Sequence, residues 1–363
     1  MHRRRAFVIA LLAASRPAVS AAAASPTDAP AVRLPVDFGA HPGASIEWWY
    51  VTGALAAGAR TWGFQITFFS AATGLAGEAA GASRFAARQI VFAHAAVTDL
   101  QQRRMRHDQR VARSGFGIAA AAEGETRLVL RDWRLERSSG AAGRSRYQTS
   151  AGSDGGGFAF RLVLEAMQPP LLQGAGGLSQ KGPRGEQSSH YYSEPQLAAS
   201  GTLVIDGRST AVTGTAWLDH EWSNAFLDPV AVGWDWIGMN LDDGGALTAF
   251  RVRTADGSAL WAGGSFRAAG GAVRSFANEE VAFTPGRVWQ SAASKARYPV
   301  EWHVATPAGR FMVRALLDDQ ELDSRASTGA IYWEGLSLLL DASGQGVGRG
   351  YLEMTGYAGR LVL

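Results

Sequence analysis

The chain has 363 residues, enough for two domains of ordinary size, and its 47% hydrophobic and 18% charged residues describe a globular protein rather than a disordered one. The formal charge of +3 is concentrated at the start, where Arg3, Arg4, Arg5 and Arg16 precede residue 25 and no acid does; taking those four from 35 leaves 31 basic against 32 acidic residues, so no nucleic-acid surface is expected. The absence of cysteine excludes disulfides, thiolate metal sites and a cysteine-borne lipid anchor.

Residues 1–24 read as a secretory signal peptide, with a basic head, an apolar run from Ala6 to Ala14 and small residues from Ala18 to Ala24. The run is too short to span a bilayer. Arg4-Arg5-Ala6-Phe7-Val8 also has the form of a twin-arginine export signal. A periplasmic or secreted protein is therefore expected. Residues 25–35, rich in proline and alanine, predict a flexible leader.

Beyond the leader, β-rich or alternating runs fall at 47–53, 61–69, 89–98, 126–135, 157–164, 201–205 and 213–222. They continue at 233–241, 247–253, 300–304, 310–316 and 350–356, with turn signals at Asp206-Gly207, Asp243-Gly244 and Asp256-Gly257. The pattern predicts an all-β antiparallel protein of barrel or sandwich type. Two stretches break the rhythm. Met167 to Ser189, with Pro169-Pro170 and Lys181-Gly182-Pro183, predicts a long surface loop or lid. Asp228-Pro229 marks the expected border between an N-terminal lobe, 36–228, and a C-terminal lobe, 229–363. A helical turn is expected at Arg84 to Gln89 or near Asp318 to Ser324.

The chemistry-bearing residues gather in two windows. Glu47-Trp48-Trp49-Tyr50 is one; Trp217-Leu218-Asp219-His220-Glu221-Trp222 followed by Gly233-Trp234-Asp235-Trp236 is the other. Tryptophan favours a dry site and an ionised carboxylate favours water, so these acids must be paired, hydrogen-bonded or held protonated. In a regular strand, Trp217, Asp219 and Glu221 share one face and Leu218, His220 and Trp222 the other. Trp234 and Trp236 likewise share a face that Asp235 does not, and Glu47 shares one with Trp49.

These segments, together with His190-Tyr191-Tyr192-Ser193, Leu241-Asp242-Asp243-Gly244, Tyr332-Trp333-Glu334-Gly335 and Gly350-Tyr351-Leu352-Glu353-Met354-Thr355-Gly356-Tyr357, resemble the AttH/CrtC family of lipocalin-like proteins. The family includes carotenoid 1,2-hydratase, proteins labelled secreted hydrolases, and distant fungal pericyclases. The resemblance implies two lipocalin-like antiparallel β-barrel lobes packed together around a cavity for an extended apolar ligand such as a polyene, carotenoid or lipid. It implies a hydro-lyase that adds water to a C=C bond, with no cofactor. It also implies two other readings: a periplasmic lipid-binding protein beside an ABC-type export system, or an acid-driven hydrolase or isomerase. Contact with membrane lipid belongs to the same expectation. The oligomeric state is not legible.

On this basis Asp235, His220, Asp219, Glu221 and Glu47 are the candidate catalytic residues, and Trp48, Trp49, Tyr50, Tyr191, Tyr192, Trp222, Trp234 and Trp236 the candidate ligand contacts. Each has a plain structural alternative: the histidine as a satisfied core group, the acids as partners of an arginine, the indoles as barrel filling. The family's hydratases carry an acid after a tyrosine on the strand that follows the tryptophan-rich turn, where this chain has Phe250 and Arg251. An arginine is no proton donor at neutral pH. No G-x-S-x-G elbow and no H-E-x-x-H pair occurs, so neither an α/β-hydrolase mechanism nor a bound metal is expected. Arg103-Arg104-Met105-Arg106-His107 reads as a solvated turn, open to anionic lipid.

Overall fold

The computed structural model describes residues 32–74, 87–153, 155–225 and 227–361. Residues 1–24, expected to be a signal peptide, and residues 25–31 of the expected leader lie outside them. Val32, near the leader's end, is buried and donates its N–H to the Gly176 carbonyl. Among the described residues there is no α-helix; the molecule is built from antiparallel strands and short 3-10 turns.

The first sheet has thirteen strands. Its central run, in spatial order, is Gln89–Asp99, Arg60–Ala72, Ile46–Ala57, Arg208–Ser223, Ser188–Ile205 and Phe158–Ala166. Its edges curl towards each other, so the sheet is a nearly closed barrel. The inward faces bury Trp49, Phe64, Phe68, Trp133, Tyr147 and Leu218. The second sheet has ten strands, centred on Ala246–Thr254, Ala231–Leu241, Gly346–Met354 and Ile331–Leu340, and wraps its own core around Ile237, Trp302 and Trp333. Hairpin turns stand where the sequence signals put them: Asp206 and Gly207 both take positive φ, 48° and 77°, the conformation a two-residue hairpin of the primed type needs. The architecture is two lipocalin-like lobes packed together.

The lobes meet face to face. Tyr50, Ala54 and Trp217 of the first pack on Trp236, Phe250, Leu336 and Tyr351 of the second. Polar bonds span the same seam, among them Gln65 Nε2 to Glu334 Oε2 at 2.5 Å and Thr98 Oγ1 to Gln320 Oε1 at 3.1 Å.

Several sequence expectations need correction. The 126–135 run is two strands, Arg127–Leu130 and Trp133–Ser139, reversed at Arg131 with φ 57°. The 201–205 strand is the tail of an eighteen-residue strand, Ser188–Ile205, whose first half was masked by Pro195; a bulge between Glu194 and Leu197 absorbs it. Met167 to Ser189 is not an open lid. It carries two short strands, Leu171–Leu172 and Leu178–Gln180, that pair with Ser188–Ile205, and Gln173 bonds to both Ser193 and Ser265, tying the lobes together as a strap. In the stretch Asp318 to Ser324, where a helical turn is expected, Glu321–Asp323 is a strand, and an i→i+4 turn begins only at Ser324, whose carbonyl accepts from the Thr328 N–H at 2.8 Å. At the other helical site, residues 84–86 lie outside the described residues and 87–89 are not helical.

Candidate functional site

Strand alternation divides the candidate residues among three places. A cavity of about 290 Å³ lies between the lobes. The first lobe gives it Trp48, Tyr50, Tyr191, Asp219 and Glu221, and the second gives it Trp234, Trp236 and Phe250. The pairing explains the grouping: Trp48 stands opposite Glu221 and Tyr50 opposite Asp219 on adjacent antiparallel strands, so each pair shares the outward face.

The other side of the same strands faces into the first barrel. Glu47, Trp49, Tyr192, His220 and Trp222 are all buried there. His220 Nε2 meets Glu47 Oε1 at 2.7 Å, and its Nδ1 meets the Tyr192 hydroxyl at 3.1 Å. His41, from the segment before the first strand, brings its Nδ1 to the same Glu47 oxygen at 2.7 Å. Burial pushes the Glu47 carboxyl up, but hydrogen bonds from His220 and His41 outweigh it and hold the group below the usual carboxylate range. Donor atoms of His41, Glu47 and His220 all lie within 4.8 Å of one another.

Asp235 lies in neither place. It points into the second lobe, with Oδ2 2.7 Å from Arg251 Nε and 3.0 Å from Arg253 Nε, while the Tyr357 hydroxyl donates to Oδ1 at 2.9 Å. Two guanidinium groups and a phenol satisfy it, and Arg251 itself rests on the Trp302 ring. Asp235, Arg251, Arg253 and Tyr357 form an ion-pair network inside the second lobe.

Asp219 and Glu221 do face the cavity. Asp219 accepts from Ser193 Oγ at 2.5 Å and Trp217 Nε1 at 2.8 Å, yet burial pushes its carboxyl up to about 7. Glu221 pairs with the buried Lys181 of the strap, Nζ to Oε1 at 3.0 Å, and the ammonium lies over the rings of Tyr191 and Phe250.

Two further carboxyls complete the site. Glu334 and Glu353 face each other across adjacent strands and both line the cavity. Burial pushes Glu334 up to about 7. Burial, and then the charge of Glu334, push Glu353 up to about 8. The Trp234 indole donates to Glu353 Oε2 at 3.1 Å. His94, also in the wall, bonds the Tyr332 hydroxyl and Ser327, and burial pushes it down to about 3, so it is neutral. Thr67 Oγ1, in the same wall, has no hydrogen-bond partner among the described residues. Tyr332-Trp333-Glu334 and Tyr351-Leu352-Glu353 repeat the aromatic-x-acid alternation of Trp217-Leu218-Asp219, a signal that could have singled out both glutamates.

The arrangement can bind an apolar molecule against indole and phenol faces and offer it protons from carboxyls that stay protonated near neutral pH.

The sequence profile of the family described as AttH-like matches residues 25–357. Among solved structures, an AttH candidate from Nitrosomonas europaea is 45% identical and superposes with a TM-score of 0.83, the match covering 92% of this chain and 99% of that one. Kievitone hydratase from Nectria haematococca shares the fold at 15% identity and a TM-score of 0.68, over 92% of this chain and 95% of its own. CghA, solved with Sch210972, does so at 13% identity and a TM-score of 0.52, over 88% and 90%. No curated protein matches the chain.

Proposed function

We propose, for a chain that belongs to the AttH-like family, that it seats an apolar unsaturated molecule between its lobes and adds water across a C=C bond. The observation that carries this reading is the Glu334–Glu353 pair, two carboxyls raised to about 7 and about 8 in a cavity walled by Trp48, Trp234 and Trp236. Glu353 gives its proton to the less substituted alkene carbon, which leaves a cation on the other carbon. Indole faces stabilise that cation. A water molecule attacks it, and the proton this water sheds returns to a carboxylate of the pair, so the net change is one added water. Thr67 is a hydroxyl on the wall that can hold the water.

The family and the hydratase among its structural neighbours lend support. A volume near 290 Å³ is at the small end of ligand sites. A long polyene or lipid therefore enters by one end, and the cavity encloses only the reacting terminus. The signal peptide of residues 1–24 makes the periplasm or the exterior the place of action.

The test is to identify, by mass spectrometry, apolar material that co-purifies with the protein, and to incubate the recovered alkene with wild type and Glu353→Gln. A tertiary alcohol formed only by wild type is expected. Equal binding by both forms with no conversion by either would make the protein a lipid carrier, and recovery of water-soluble metabolites alone would remove both readings.

A further inference from the structure

We propose that His41, Glu47 and His220 form a binding site for a divalent transition-metal ion of the zinc type at the mouth of the first barrel, on the opposite face of the sheet from the inter-lobe cavity. Two imidazoles and one carboxylate are an established zinc donor set, and three protein donors leave a coordination position open. His41 and Glu47 lie six residues apart and His220 comes 173 residues after Glu47, so no single local motif announces the set.

The immediate surroundings are those of a metal site. Glu47 is buried, and among the described residues no lysine or arginine lies within 4 Å to neutralise it; the basic side chains that reach it are the two histidines. Each imidazole turns its far nitrogen to an oxygen able to accept a hydrogen bond: His220 Nδ1 to the Tyr192 hydroxyl at 3.1 Å, and His41 Nε2 to Asp37 Oδ1 at 3.4 Å. That outer pairing orients metal-bound histidines, and a carboxylate behind one of them is its common form. The second Glu47 oxygen is already fixed by the His41 backbone N–H at 2.9 Å.

Both rings are braced by indoles, His220 on Trp49 with centroids 4.4 Å apart and His41 on Trp222 at 3.8 Å. In the hydrogen-bonded state the two nitrogens stand 2.7 Å from the shared oxygen. Tetrahedral bonds of about 2.0–2.1 Å put donors roughly 3.3 Å apart, so each pair opens by about 0.6 Å, within the reach of small side-chain rotations. Access is through His41, whose side chain is 24% exposed whereas that of Glu47 is 2% exposed. His41, Asp37 and Trp222 line an open groove of about 710 Å³ outside the barrel mouth, which gives the free coordination position room for water or a ligand.

The experiment uses untagged protein stripped with EDTA and titrated with Zn²⁺ by calorimetry, with Co²⁺ as a visible-absorption probe of nitrogen–oxygen coordination. One ion per chain is expected. His41→Ala should weaken binding more than about 100-fold, since even an outer partner is worth ten- to a hundredfold, and Asp37→Asn should weaken it by that smaller factor. His303→Ala, an exposed histidine on the second lobe, should leave it unchanged. Stoichiometry near zero in wild type, or binding unaltered by both His41→Ala and Asp37→Asn, overturns the proposal and leaves the triad a hydrogen-bonded network. Asp37→Asn keeps the test open if His41→Ala does not fold. Hydration in the inter-lobe cavity is read separately, through conversion of an alkene, so failure of either idea is visible without the other.

Discussion

Glu334 and Glu353 are direct cross-strand partners, and both turn their carboxyls into the cavity that separates the lobes. Like charges in a buried site cannot both ionise cheaply, so at least one of the two keeps its proton near neutral pH. Replacing either with glutamine preserves shape and removes the titrating proton. Glu353→Gln and Glu334→Gln are expected to lower turnover by roughly 10²–10⁴-fold while leaving the fold intact, as measured by product formation and near-ultraviolet circular dichroism.

The same pair sets a pH dependence of stability. Both carboxyls titrate higher in the folded chain than their ordinary value of 4.5, so the folded state binds more protons in between. Stability is greatest below about pH 4.5 as far as this pair is concerned, and it is lost as pH rises through about 7 to 8. The loss is on the order of a few kcal/mol. Thermal melts from pH 5 to 8 should therefore shift downward, and the double variant Glu334→Gln, Glu353→Gln should flatten that slope; an unchanged slope would contradict the assignment. Turnover should fall over the same upper range, as the acid form disappears.

Lys181 and Glu221 form a buried ion pair between the strap and the first lobe. Lys181→Met leaves a buried carboxylate without its cation and should destabilise the protein by about 3–5 kcal/mol in urea unfolding. Adding Glu221→Gln should recover most of that loss. Additive losses in the double variant would mean that the two groups are not coupled.

Asp235 separates structure from chemistry. Asp235→Asn strips the charge between Arg251 and Arg253, and a cost of about 3–5 kcal/mol is expected, again from a broken buried pair. Turnover per folded molecule should stay near wild type, because the side chain faces the interior of the second lobe. A collapse of turnover with unchanged stability would return Asp235 to the active site.

Gly238 lies directly beneath the indole of Trp236, and a Cβ there would collide with the ring while also crowding Trp217 at 3.1 Å. Gly238→Ala should drive the Trp236 ring into the cavity. Affinity for an apolar ligand is expected to fall about tenfold, equivalent to about 1.4 kcal/mol, as read by quenching of tryptophan fluorescence.

Much of this arrangement was legible in the residues. Period-two alternation separated Asp219 and Glu221 from His220, and Trp234 and Trp236 from Asp235, because pairing is regular from Ile46 to Ala56 along the first strand and from Gly233 onward in the second lobe, where the bulge at Ala231–Gly233 falls just before the motif. The pairing of Glu47 with His220 was not legible, since it joins neighbouring strands far apart in sequence and register is a tertiary property. His41 stood outside every motif. Lys181 was hidden in a stretch whose prolines and glycines imitate an open loop, although strand pairing and buried polar bonds hold it in place. Glu334 and Glu353 lie in motifs visible in the residues, but their meeting across adjacent strands at the cavity is a matter of register and so a tertiary property.

The strands Ile46–Ala57 and Arg208–Ser223 act as a party wall between two rooms. Along the second of them, consecutive residues look alternately into the cavity and into the barrel, so Asp219 and Glu221 cannot move without carrying His220 along. A backbone shift in either strand is therefore shared by both rooms.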